Sequence, residues 1–225
     1  LLHFVKPVFD RRVFLKTCTN GSSELMTNLS MSLVNALYNL QLMKIAGENG
    51  VAAYGAVMYV NFIFVATFLG YAIGCAPVIS YHYGAGNHAE LKNLYKKSMS
   101  IILVWGVILF GAAQLLAPVL SKIFVGYNTG LYAMTLHGFR VYAIAFLIIG
   151  INIFGSSFFT ALNNGLISAV ISFLRTLVFQ VIMVLTLPLW FGINGIWSAI
   201  SIAEALTLIM TTTFFVRQKD KYHYL

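Results

Sequence analysis

An all-α bundle of six membrane-spanning helices is predicted by three observations. The chain is 60% hydrophobic and only 9% charged, with a mean hydropathy of +0.85; a soluble domain carries about 25% charged residues. Its apolar stretches are helix-length, unlike the roughly 10-residue alternating segments of an outer-membrane barrel. They recur to the C-terminus, which a secretory signal does not explain.

The spans are expected at 16–42, 52–81, 98–121, 132–161, 167–190 and 194–216, with 1–15 as a cytoplasmic approach or linker and 217–225 as a cytoplasmic tail. Turn chemistry separates them, at Gly47-Glu48-Asn49-Gly50, Tyr83-Gly84-Ala85-Gly86-Asn87, Gly126-Tyr127-Asn128-Thr129-Gly130, Asn163-Asn164-Gly165 and Gly192-Ile193-Asn194-Gly195. Short loops make consecutive helices antiparallel neighbours. Charge tests the count. Lys6, Arg11, Arg12, Lys16, then Lys92, Lys96 and Lys97, then Arg217, Lys219 and Lys221 all fall on one side of a six-span chain. The other side receives Lys44 and Lys122, with Arg140 near it. Positive charge is retained on the cytoplasmic side, so both termini are expected there, in a multi-pass plasma-membrane protein.

This distribution also accounts for the net charge of +8 without nucleic acid. Cys18 and Cys75 fall in apolar spans, without metal-ligand spacing or a disulfide context. The five histidines are scattered. No Walker motif, GxSxG or nucleophile–base arrangement stands out, so no enzyme, cofactor or ATP-driven chemistry is expected.

The first span carries the most information. Asn20, Glu24, Asn28, Asn35 and Asn39 fall within roughly 100° of one another on a helical wheel, opposite Leu25, Met26, Leu29, Leu33 and Leu37. An ionisable group at membrane depth is costly and marks an ion or substrate pathway by default. Glu24 is therefore the leading candidate. With Asn20 and Asn28 one turn either side, it could hold a proton or a sodium ion, since neutral oxygens suit a hard cation. The alternative is interhelical hydrogen bonding. Glu204, in the last span, is the second acid at depth; it joins the same pathway or pairs with an in-span arginine. Arg175, following Ser168 and Ser172, is read first as that ion-pair partner and second as a substrate contact. Tyr142, Asn152, Ser156 and Thr160 form a further polar stripe on the fourth span. Pro77 and Pro118 lie inside spans, where proline removes a hydrogen bond and can kink the helix.

The run GENGVAAYGAVMYVNFIFVATFLGYAIGCAPVISYHYGAGNHAELKNLYKKS resembles the multidrug and toxic compound extrusion (MATE) family, especially its bacterial members. The stretch RTLVFQVIMVLTLPLWFGINGIWSAISIAE is similar to that family's last two helices. The resemblance implies one six-helix lobe of a twelve-helix transporter, the second lobe, and fits a chain that begins at Leu1 without methionine. It implies a missing N-terminal lobe or a second copy as partner, beside the lipid bilayer. It implies export of small organic cations in exchange for sodium ions or protons, with Glu24 at the family's seventh-helix coupling position. Some members carry an acid in the tenth helix; here Asn152 is the nearest polar residue. A lipid-linked oligosaccharide flippase of the same fold, or a non-transporting membrane module, are the alternatives.

The orientation is testable by thiol labelling. In a Cys18→Ser/Cys75→Ser background, His88→Cys and Lys219→Cys are expected to react with an impermeant maleimide only after permeabilisation, and Tyr127→Cys in intact cells. Labelling of all three from outside excludes the six-span orientation.

Overall fold

A computed structural model describes residues 10–224, except for the side chains at 13, 16, 17 and 19–27. The described residues form seven α-helical segments: α1 (Arg11–Gly84), α2 (His88–Val125), α3 (Thr129–Tyr142), α4 (Phe146–Ala161), α5 (Gly165–Phe173), α6 (Phe179–Phe191) and α7 (Ile193–Tyr222). A single 3-10 turn, Ala143–Ala145, joins α3 to α4, and a π turn, Leu174–Val178, joins α5 to α6. Each of those pairs is thus one continuous span, Thr129–Ala161 and Gly165–Phe191.

Among the described residues, five continuous helices are long and apolar enough to cross a membrane. The first runs 57 residues, Asn28–Gly84. At 1.5 Å per residue it would extend about 85 Å if straight, far beyond a hydrocarbon core of about 30 Å. It is not straight. Gly47 takes φ 63° and ψ −153°, a conformation that glycine adopts readily and other residues avoid. The chain folds back there. Tyr38 stacks on Tyr54 with ring centroids 5.0 Å apart, and the Tyr54 hydroxyl donates to Asn35 Oδ1 at 3.0 Å. The five helices therefore supply six legs, as the loop chemistry predicts. Pro77 and Pro118 sit inside α1 and α2 without ending either helix.

Asparagine starts three of the helices. Asn87, Asn128 and Asn164 each accept, through the side chain, from the backbone N–H three residues on: Glu90 at 3.1 Å, Leu131 at 3.1 Å and Ile167 at 3.3 Å. Each satisfies one of the N–H groups that a helix start leaves without a partner.

Loop placement agrees with the charge pattern. His88 and His223 lie with rings 4.9 Å apart, and Asn164 Nδ2 donates to the Tyr222 hydroxyl at 2.9 Å. The loop after α1, the loop before α5 and the end of α7 thus meet at one end of the bundle. Residues 217–222 continue α7 as helix. Beyond them Tyr224 is fully buried in a cluster with Tyr95, Phe158 and Phe215, its hydroxyl donating to the Phe215 carbonyl at 2.9 Å.

The α3–α4 span is the centre. Of its most apolar stretch 67% is buried, against 17–33% for the other four. The surrounding helices present Leu, Ile, Val and aromatic side chains outward, such as Ile63, Ile73, Leu115 and Leu189, as lipid requires. Small residues let helices close on this centre. A Cβ at Gly150 would come within 2.4 Å of the Phe68 ring, and one at Gly138 within 2.5 Å of the Trp197 ring. Ser157 donates to the Ala72 carbonyl at 3.2 Å and Ser80 to the Ala161 carbonyl at 2.9 Å, tying α4 to the second arm of α1.

Gly138→Val and Gly150→Val are each expected to lower stability by about 1–3 kcal/mol through overpacking. Thermal unfolding of the purified protein in detergent checks this; an unchanged melting temperature would mean the helices are not held this close.

Candidate substrate cavity

A cavity of about 170 Å³ opens between both arms of α1, the central span, the π turn with α6, and α7. Part of its lining is ionic. Arg175, within the π turn, donates through Nε to both oxygens of Glu204 on α7, at 2.8 Å and 3.1 Å. From the central span, Asn152 Nδ2 donates to Glu204 Oε2 at 2.7 Å and to the Glu204 carbonyl at 3.0 Å. Glu204 and Asn152 are buried, whereas the Arg175 side chain keeps 18% of its surface exposed. A carboxylate placed here without partners would be costly, and its two oxygens take donors from two different helical spans. The π turn matters locally: a π bulge inserts an extra residue and re-aims the side chains on its turn, and such bulges are common at functional sites.

An amide–phenol shell surrounds the pair. The Tyr38 hydroxyl donates to Gln180 Oε1 at 3.0 Å, and Tyr54 donates to Asn35 Oδ1. Tyr142, Thr176 and Asn61 complete the polar lining, and Asn61 Oδ1 is buried without a partner among the described residues. The rest is apolar, from residues such as Met31, Val34, Met58, Ile149 and Ile153. A second polar cluster lies along the same interface. Ser156, Ser168, Ser172 and Thr160 share hydroxyl contacts of 2.7–2.9 Å between α4 and α5.

The structure brings together three of the residues singled out from sequence: Arg175, Glu204 and Asn152. The expected pairing of Glu204 with an in-span arginine is what it shows. Asn35 and Tyr142, from the two polar stripes, line the same cavity. Asn28 is exposed on the first arm of α1, outside the cavity lining. Glu24 and Asn20 lie on the backbone of that arm, and their side chains are outside the described residues. Among the described residues no group of three or more His, Cys, Asp or Glu is placed to hold a metal ion.

Sequence reasoning missed Tyr38, Tyr54, Asn61 and Thr176, and gave Gln180 no role. One signal was present. Tyr38 stands 18 residues after Asn20, five whole turns, so it shares that residue's position on the wheel. Counting tyrosine as apolar conceals it, although a buried phenol needs a hydrogen-bond partner.

The MatE family profile matches residues 25–186. The chain belongs to the MatE family. No curated protein matches it. Among solved structures it is similar to a crystal structure of MATE in complex with MaL6, with a TM-score of 0.87 and 20% identity over 97% of this chain and 49% of that one. It is equally similar to an outward-facing and to an inward-facing conformation of a multidrug resistance MATE family transporter of the MOP superfamily. Both give a TM-score of 0.86 at 20% identity over 96% of this chain, covering 48% and 50% of theirs. The chain thus spans about half the length of these structures, and its fold is one lobe of the MATE architecture.

The ion pair predicts an asymmetric response to mutation. Arg175→Gln strands a buried carboxylate and is expected to cost about 3–5 kcal/mol. Glu204→Gln leaves a partly exposed arginine and should cost less. The double variant should be more stable than Arg175→Gln alone. A double-mutant cycle on thermal unfolding measures this coupling; additive effects would mean that the pair does not hold the helices.

Proposed function

We propose that this chain forms one lobe of a secondary antiporter that exports small organic cations from the cell in exchange for sodium ions or protons. The observation that carries the reading is the Arg175–Glu204–Asn152 constellation opening into an aromatic cavity inside a membrane bundle. Intramembrane charge set in a cavity, rather than in a lipid-facing seam, is the arrangement of a translocation path.

The second lobe comes from the rest of the same protein or from a second copy, and the two rock about the cavity between them. Equal likeness to outward-facing and inward-facing relatives supports a lobe that moves as a unit. Glu204 is already matched by Arg175, so charge compensation for a cationic substrate falls to Glu24. A proton or sodium ion bound at Glu24 competes with that substrate for one carboxylate. Each ligand shifts the lobes only by its difference in affinity between the two orientations. Both termini lie in the cytoplasm, and the basic residues gathered at one end of the bundle support this.

Cationic-dye efflux from proteoliposomes holding the intact protein, under separately imposed sodium and proton gradients, tests the proposal. Gradient-driven efflux is expected from the wild type and its loss from a folded Glu24→Gln variant. Unchanged efflux in that variant would move coupling away from Glu24, and no efflux with any cationic dye would reject cation export.

A further inference from the structure

Of the side-chain carbonyl and carboxylate oxygens in the cavity wall, all but Asn61 Oδ1 accept a hydrogen bond. Both Glu204 oxygens accept from Arg175 and Asn152. The side-chain oxygens of Gln180 and Asn35 accept from Tyr38 and Tyr54. The amide nitrogens of both residues have no hydrogen-bond partner among the described residues, and both residues line the cavity. Arg175, in contrast, engages only Nε among the described residues. A guanidinium has five N–H donors, and the four on its two terminal nitrogens have no hydrogen-bond partner there. Those nitrogens belong to a partly exposed side chain that lines the cavity. The terminal edge of a guanidinium matches a carboxylate with two parallel hydrogen bonds.

The apolar part of the cavity sets the other half of the ligand. A space of about 170 Å³ compares with the cavity of about 150 Å³ that admits a benzene ring. Tyr38 and Tyr54, stacked with planes 8° apart, form one flat wall.

We propose that this wall binds the carboxylate end of an aromatic acid: Arg175 grips the carboxylate through its terminal nitrogens, the Gln180 and Asn35 amides add donors, and the ring lies against the tyrosine stack. This rests on the reading of the cavity as the substrate site and assigns that site a carboxylate-binding end. Glu204 then acts as a positioning residue. It holds the guanidinium by its Nε edge, leaving the fork free, and competes for its charge.

Equilibrium binding without any gradient separates this inference from the transport proposal. The probes are 4-fluorobenzoate and its neutral analogue 4-fluorobenzamide, followed by ¹⁹F NMR against the intact protein in nanodiscs, with empty nanodiscs correcting for lipid partitioning. Benzoate is expected to bind about tenfold tighter than benzamide, the scale of a charge-assisted pair. In Arg175→Gln/Glu204→Gln, which leaves no buried charge unpaired, that preference should vanish while benzamide binding persists. In Glu204→Gln, benzoate should bind about threefold tighter, because the competing carboxylate is gone. A purely structural arginine would not produce this opposite sign. Equal affinity for the two probes in the wild type, a benzoate preference that survives in the double variant, or no binding of either probe overturns the inference. Each of these can occur with cation efflux intact.

Discussion

Burying Glu204 inside a membrane bundle is the constraint on which the rest of the structure depends. Hydrocarbon offers no water to solvate a carboxylate, so the fold must deliver donors to both oxygens. It does so from two other spans, Arg175 from the π turn and Asn152 from the central span. Three spans are thereby fixed in register around one side chain. The close approaches at Gly138 and Gly150 bring the neighbouring helices to the same centre.

A buried ion pair is a weak source of net stability, because desolvating two charges offsets most of their attraction. Apolar residues of similar volume would pack this bundle at least as well. The arrangement makes more sense as a device for presentation. Glu204 holds Arg175 by one edge and so aims the other edge at the cavity. The tyrosine–amide pairs work the same way, since each phenol occupies an amide oxygen and frees an amide nitrogen. On the proposal above, the unpaired N–H groups of Arg175, Gln180 and Asn35 are what meets a ligand.

The stack of Tyr38 on Tyr54 links fold to site. It closes the hairpin at Gly47 and is itself the flat wall of the cavity. The equal fit to outward-facing and inward-facing structures shows that this lobe's fold is common to both.

Span number, helix direction and the clustering of basic loops follow from sequence alone, because hydropathy and charge act on every residue independently of its distant neighbours. Arg175 and Glu204 stood out for the same reason: their cost in a membrane is a property of residue type and depth. Composition does not determine who meets whom. Asn152 read as one of four polar residues on a stripe, and only packing decided that it, and not Ser156 or Thr160, reaches Glu204. The same holds for Asn28 and Asn35, seven residues apart on one polar face, of which only Asn35 lines the cavity. A helical wheel assigns a face but not the neighbour that covers it. The tyrosines were hidden by their dual character, apolar in body and polar at the tip, and which end counts depends on the partner that tertiary structure supplies.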